Sequence, residues 1–342
     1  MFLPHTGYPR SNPSPEWWAL AGQPSFVPWS ANNVTPPLQI WLLGDGKPGH
    51  ENQSAGLAEA LGRIVPADIR SIPTPGKCHI IARVHAITRA TRSWHKPDLL
   101  IGAGHSTHLP LLWLARQHGV PCVVLMKPSL PTALFDLCLV PAHDLGHSIP
   151  PPRVIPTLGA LNRVPPPANR ERTSGLILVG GPSTTHGWDQ DAMLDTIGVI
   201  ISRSRHLPWH ITDSRRTPEG FMPLAAQRFA NVSLHPHQQT GRDWLPAQLA
   251  AAAEVWVTED SISMIYEALS SGARVGLIPV PRLKRDGRVS RGVDHLADEG
   301  FVTRFSRWQT TGTLSSPPRV LREADRCAEE VARRLFPDMF SR

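Results

Sequence analysis

Residues 258–280 read TEDSISMIYEALSSGARVGLIPV, and the opening of this stretch holds a dense set of groups able to do chemistry. A strand ends in Val255, Trp256 and Val257. Thr258, Glu259, Asp260 and Ser261 turn the chain into a helix that closes at Gly272, and Val275–Val280 follows as a second buried strand. Ile262, Ile265, Tyr266 and Leu269 recur at the spacing of one apolar helix face. Asp260, Ser263, Met264, Glu267 and Ser271 fall on the other face by the same period. A helix N-terminus presents free N–H groups and the positive end of the helix dipole, so it suits an anion. Glu267, further along that edge, is an acceptor for a ribose diol. The pattern outlines a nucleotide-sugar site; an ordinary N-capped helix in a β/α layer has it too.

Other reactive groups lie in loops that follow apolar runs. Gly44-Asp45-Gly46-Lys47-Pro48-Gly49-His50 comes after the buried strand Leu38–Leu43. Its glycines, Gly44, Gly46 and Gly49, allow close approach, and Asp45 and His50 are groups there able to act as a base near neutral pH. Alternatively His50 caps the helix that starts at Glu51, and Lys47 is solvated. His105 and His108 stand i, i+3 at a helix start, a spacing two metal ligands can use. No third or fourth ligand is near in sequence, and a structural zinc site needs about four. They are read, with Thr107, as capping or cleft-lining groups, and neither metal nor cofactor is expected. Lys127, His143 and Asp144 follow strands and should emerge at a cleft. The basic run Arg282–Arg291 (RLKRDGRVSR) either stays solvated or faces phosphate, with Arg288 and Arg291 as a clamp.

The elements that position these groups alternate as strand and helix. Such alternation implies an α/β fold of parallel strands joined by right-handed crossovers. At 342 residues the chain accommodates two doubly wound, Rossmann-like domains facing a cleft. Residues 1–37, rich in Pro, Ser and Asn, read as a weakly ordered leader. Residues 38–160 form the first domain, 161–174 a proline-rich linker and 175–318 the second domain. A last helix, 319–342, should pack across the domains, with Leu321, Ala324, Ala328, Val331 and Leu335 in one stripe.

Composition narrows the function classes. The net charge is +7, and among 35 basic residues the lysines are only Lys47, Lys77, Lys96, Lys127 and Lys284. The arginine excess suits bidentate contact with phosphate and carboxylate and a GC-rich, bacterial coding sequence. The basic residues are dispersed without aromatic interleaving, so nucleic acid is not an expected partner. No apolar run reaches the roughly 20 residues of a spanning helix, and the N-terminus lacks a secretory pattern. Cys78, Cys122, Cys138 and Cys327 are scattered, as in a reduced cytoplasmic protein.

GDGKPGHENQ (Gly44–Gln53), VVLMKPSLP (Val123–Pro131), FDLCLVPAHD (Phe135–Asp144), LGALNRV (Leu158–Val164), GGPS (Gly180–Ser183) and TEDSISMIYEAL (Thr258–Leu269) together resemble the elongated-mitochondria family. These are plant mitochondrial-fission proteins and bacterial relatives regarded as candidate glycosyltransferases. The resemblance covers roughly Leu38 to Phe305. It implies a two-domain fold of the GT-B type, in which a nucleotide sugar binds mainly to the second domain without a required metal. Residue by residue, it implies that the N–H groups of Gly180, Gly181, Ser183 and Thr184 cradle a diphosphate, shared with the helix end at Asp260, Ser261, Ser263 and Met264. Glu267 would meet the ribose. Gly44–His50 would face the acceptor, with Gly46, Lys47, Gly49, His105, Thr107, Lys127, His143, Arg288 and Arg291 lining the cleft. Glu259 and Glu267 also fit the E-x7-E spacing of many retaining enzymes of this type.

The reading that follows is a cytoplasmic glycosyltransferase, with peripheral contact at the inner membrane conceivable. It would move a sugar from a nucleoside-diphosphate donor to an envelope or lipid-linked acceptor. Two rivals stay open: a non-hydrolysing nucleotide-sugar epimerase on the same fold, and a non-catalytic adaptor related to the fission proteins.

Overall fold

The computed structural model describes residues 36–74, 80–145, 149–167, 171–283 and 287–339; all but the last two residues of the expected leader lie outside them, as does Cys78. The first domain runs β1 (Leu38–Gly44), α1 (Pro48–Ile64), β2 (Ala67–Pro73), α2 (Ile80–Thr91), β3 (Leu99–Ala103), α3 (His108–His118), β4 (Cys122–Leu125), β5 (Leu137–Pro141) and β6 (Val154–Thr157). The second runs β7 (Ser174–Leu178), α4 (Gln190–Arg203), β8 (Trp209–Thr212), α5 (Phe221–Arg228), β9 (Val232–His235), α6 (Trp244–Ala251), β10 (Ala252–Thr258), α7 (Ile262–Ser271), β11 (Arg274–Ile278), α8 (Arg288–Asp298), β12 (Thr303–Arg304), α9 (Phe305–Thr311) and α10 (Glu323–Leu335).

Each domain has one sheet whose strand pairs are parallel. Strands such as LLIGA, CVVL and SGLIL are buried along their whole length, as a sheet covered on both faces requires. The order is β2-β1-β3-β4-β5-β6 in the first sheet and β12-β11-β10-β7-β8-β9 in the second. Strand order therefore reverses between β1 and β3, and between β7 and β10. Crevices beyond the carboxyl ends of strands at such reversals are where ligands bind in open α/β sheets. The segments after β1 and β3 hold Asp45, His105 and, in the first turn of α1, His50; the loops after β7 and β10 hold Gly180, Gly181, Asp260 and Ser261. Hydrophobic alternation alone thus brings the candidate groups to two facing crevices.

The domains are joined twice. Residues 161–167 do not run free: Leu161 is buried in the first core and Val164 in the second. Asn162 Nδ2 donates to Ser270 Oγ at 2.9 Å, and Arg163 bridges Glu59 and Asp243. The second crossing is α10, which spans Glu323–Leu335 rather than 319–342. It lays Cys327, Ala328, Val331 and Ala332 onto the first core, against α1, and Arg63 donates to Asp325. Leu321, just before it, stays in the second core.

Gly159 marks the first joint. Its φ is +81° and a Cβ there would stand 2.3 Å from the Tyr266 ring on α7. Gly159→Ala is expected to cost about 2–4 kcal/mol, from left-handed backbone strain and overlap together. Urea unfolding should show it; an unchanged midpoint would mean that Tyr266 yields freely.

Candidate functional site

Between the domains lies a cleft of about 1210 Å³. Its first-domain wall is β1, β2 and the start of α1, including Leu42, Ile69, Pro73, Glu51 and Asn52. Its second-domain wall is Ser214, Arg215, Arg216, Ser261, Ser263, Met264 and Glu267.

On the first wall, Asp45 organises the loop. Its Oδ1 accepts from the Lys47 N–H at 3.1 Å and its Oδ2 meets His50 Nδ1 at 2.9 Å. An ionised carboxylate only accepts, so a neutral His50 carries its proton on Nδ1 and offers Nε2 as the base. This is the base-and-orienter geometry of general-base catalysis. The pair rests on Gly104 at the end of β3, where φ is +92° and a Cβ would lie 2.4 Å from His50 Nδ1; only glycine admits the dyad there. Asp45 and His50 are not themselves among the residues that line the cleft, although their chain neighbours Gly44, Gly49 and Glu51 are. Lys47 is mostly exposed, 3.7 Å from Asp45.

The other first-domain candidates divide. His105 Nδ1 and His108 Nδ1 both reach Ser129 Oγ, at 2.7 and 3.2 Å. Burial, with His105 beside it, holds the His108 imidazole below its ordinary pKa. Lys127 is exposed, and its Nζ donates to the Asp144 carbonyl. It follows Met126, whose φ of 67° puts a non-glycine residue in the left-handed region. Thr107 is a correction: it is fully buried and its hydroxyl closes onto the Gly104 carbonyl, so it does not face the cleft. The His143 side chain lies outside the described residues. Among those described, no three His, Cys, Asp or Glu side chains are placed to hold a metal ion.

On the second wall, α7 starts at a bare end. Its N-cap Ser261 makes no side-chain capping bond, and Ser261, Ser263 and Met264 line the cleft. Exposed first-turn N–H groups of this kind attract anions. Arg216 stands beside them, with Nη2 2.6 Å from Asp260 Oδ2 and Nη1 2.6 Å from the Gly181 carbonyl. Glu267, one turn along, accepts from Asn52 Nδ2 of α1 at 2.8 Å. Burial pushes its carboxyl up to about 7, with the Asn52 amide pulling the other way.

Several expectations for this wall need revision. Asp260 is held inward, its side chain only 1% exposed. It ties the glycine loop to the end of α7, since Gly181 N donates to it at 3.0 Å and Gly180 N donates to Thr258 Oγ1 at 2.8 Å. Those two N–H groups are therefore engaged by protein and not free to cradle phosphate. Ser183 Oγ is likewise used, accepting from Thr185 N and His186 N, while Thr184 is exposed. Ser271, placed on the polar face, is buried and bonds Ala268 O and Ala273 N. Glu259 is paired with Arg282 and Arg304, which also hold Asp294. The E-x7-E pair thus does not offer two free carboxylates to one site, and Arg282 of the basic run is structural. Arg291 is exposed on α8, and the Arg288 side chain lies outside the described residues.

Asn52, Arg163, Arg215, Arg216 and Arg242, all lining the cleft, were not singled out from sequence. Ser214-Arg215-Arg216 directly follows β8, so reading every strand end as a ligand-facing position would have found it. The family described as mitochondrial fission ELM1 matches residues 48–335. The chain belongs to the mitochondrial fission ELM1 family.

Among relatives of this ELM1-family chain, the uncharacterized protein RP120 of Rickettsia prowazekii is 22% identical over 290 residues, covering 69% of this chain and 81% of its own. The structure of UDP-GlcNAc 2-epimerase from Methanocaldococcus jannaschii superposes with a TM-score of 0.53 at 11% identity, over 86% of this chain and 99% of that one. The glycosyltransferase SnogD from Streptomyces nogalater superposes at 0.44 with 16% identity, over 87% and 95%. The ELM1-family chain has a GT-B-like fold, shared with the epimerases. Among its described residues, no helix is long and apolar enough to cross a membrane.

Proposed function

We propose that the protein is a glycosyltransferase that moves a sugar from a nucleoside-diphosphate donor to an acceptor hydroxyl. One observation carries the reading. An uncapped helix end with an arginine beside it and a carboxylate one turn on lines a cleft whose opposite wall includes Gly49 and Glu51, the chain neighbours of a histidine oriented by a carboxylate. The donor's diphosphate lies at the first turn of α7 near Arg216, and its ribose hydroxyls donate to Glu267. In an inverting reaction the acceptor hydroxyl passes its proton to His50 Nε2 as its oxygen bonds to the anomeric carbon. The bond from that carbon to the phosphate oxygen breaks, and the electron pair leaves on the diphosphate. Arg216 and the helix N–H groups stabilise that charge, an electrostatic role. The apolar stretch of the first wall, Leu42, Ile69 and Pro73, suits an acceptor with an apolar portion, such as a lipid-linked one.

Titration of UDP, GDP and TDP and their sugars, followed by acceptor assays, tests this. Binding of none sinks the donor site and favours the adaptor; an epimer formed without acceptor replaces transfer by epimerisation. For His50→Ala, kcat is expected to fall by about 100- to 10,000-fold, the range of general-base contributions, with donor affinity changed less than about twofold. Asp45→Asn should lower kcat in the same direction. Equal loss of donor affinity in His50→Ala would place the histidine in the donor site instead.

A further inference from the structure

Three contacts connect one face of α1 to the rest of the cleft: Glu51 with Arg242 at 3.5 Å, Asn52 with Glu267 at 2.8 Å, and Glu59 with Arg163 at 2.7 Å. The first two set an anion against an arginine and a hydrogen-bond donor against a carboxylate. A nucleoside diphosphate brings the same two functions, phosphate oxygens and ribose hydroxyls. Asn52 already takes one acceptor position on Oε1 of Glu267, so a diol reaching both carboxylate oxygens must share that oxygen with the amide or displace it.

We infer that Glu51 and Asn52 make the contacts a donor would make, so that donor binding displaces them and releases the first turn of α1. This rests on the donor-site reading above. The consequence reaches the reacting groups because His50 lies two residues before Asn52 in the same helix, about 3 Å along its axis. The far end of α1 stays fixed, since Leu57, Leu61 and Ile64 are buried with Cys327, Ala328 and Val331 of α10 in the first core. Release at Asn52 is therefore a pivot of the N-terminal turns about that anchor, and it carries His50 with it. Asn52 acts as a positioning residue that links an occupied donor site to the placement of the base. The Arg242–Glu51 pair is the weaker half, because the Arg242 side chain is 81% exposed and screened by water.

The test compares wild type, Asn52→Ala and Asn52→Gln by titration with UDP, GDP and TDP, and by amide hydrogen exchange with and without the nucleotide that binds. Asn52→Ala removes the competitor, so it is expected to bind that nucleotide about three- to tenfold tighter, about the net worth of one ordinary hydrogen bond, while Asn52→Gln stays near wild type. In wild type the nucleotide should speed exchange over residues 48–53; in Asn52→Ala these amides should exchange fast already and respond little. Weaker or unchanged binding in a folded Asn52→Ala, or slower exchange at 48–53 on adding nucleotide, overturns the inference and makes Asn52 a donor contact or a bystander. Failure of every nucleotide to bind both wild type and variants removes the donor site itself, and the inference with it.

Discussion

Glu267→Ala is expected to weaken nucleoside-diphosphate binding by about 30- to 1000-fold. Two ribose hydroxyls donating to one carboxylate contribute about 2–4 kcal/mol together, since hydrogen bonds to charged groups run about 1.5–3 kcal/mol each and are not fully additive; each 1.4 kcal/mol is tenfold. The effect should depend on pH in a stated direction. Burial holds the Glu267 carboxyl at about 7 in the free protein. Below that value it is protonated, and one of its oxygens becomes a donor and a poorer acceptor for the diol. Affinity should therefore fall as pH drops from about 8 to about 6, and rise to a plateau above. Glu267→Gln mimics the protonated form and should flatten that profile at the weak, low-pH level. Calorimetric titration across this range decides; a Glu267→Ala protein that binds as tightly as wild type at both ends would remove ribose recognition from this residue. Stability runs the opposite way. A carboxyl raised from 4.5 to about 7 on folding contributes most below the unfolded value, and that contribution is lost as pH climbs through about 7.

Asp260→Ala is expected to cost about 3 kcal/mol of stability and to abolish donor binding along with it. The Asp260 carboxylate is almost wholly enclosed, accepting from Gly181 N and from Arg216. Removing it strands a buried N–H, which costs about 1–3 kcal/mol, and leaves Arg216 without its buried partner, in the direction of the losses measured for broken buried pairs. Arg216 is 39% exposed, so water recovers part of the second loss. Asp260→Asn keeps an acceptor for Gly181 and should retain more of the fold than of the binding, because the charge that aims Arg216 is gone. Urea unfolding beside nucleotide titration separates the two. Full stability in Asp260→Ala would show that the loop and helix end hold together without their carboxylate.

The fold was legible because parallel strands covered on both faces demand unbroken apolar runs, and LQIWLLG, LLIGA and SGLIL supply them. The loops that follow such runs land at the sheet reversals, which is why Asp45, His50 and Glu267 could be singled out from their neighbours in sequence. The helical period puts Asp260 on the polar face with Ser263 and Glu267, and the structure turns it inward. Its true partner, Arg216, is 44 positions earlier, and nothing local announces a charge pair closed across two loops. Glu259 misled for the same reason, since Arg282 and Arg304 claim it from other elements. Asn52 lay inside a quoted motif, yet its hydrogen bond spans 215 positions and exists only once two domains meet.

The return of α10 to α1 has a consequence for biosynthesis. Chains emerge from their N-terminus at about 5–20 residues per second, so the apolar side of α1 exists for roughly 15–55 seconds before Cys327, Ala328 and Val331 are made to cover it. Sequential, domain-by-domain folding is thereby closed to the first half, which must linger as a partly open intermediate with a greasy flank. Translation speed and chaperone supply should govern the yield of native protein more than its final stability does, and a chain cut short before Glu323 should leave that flank permanently adhesive.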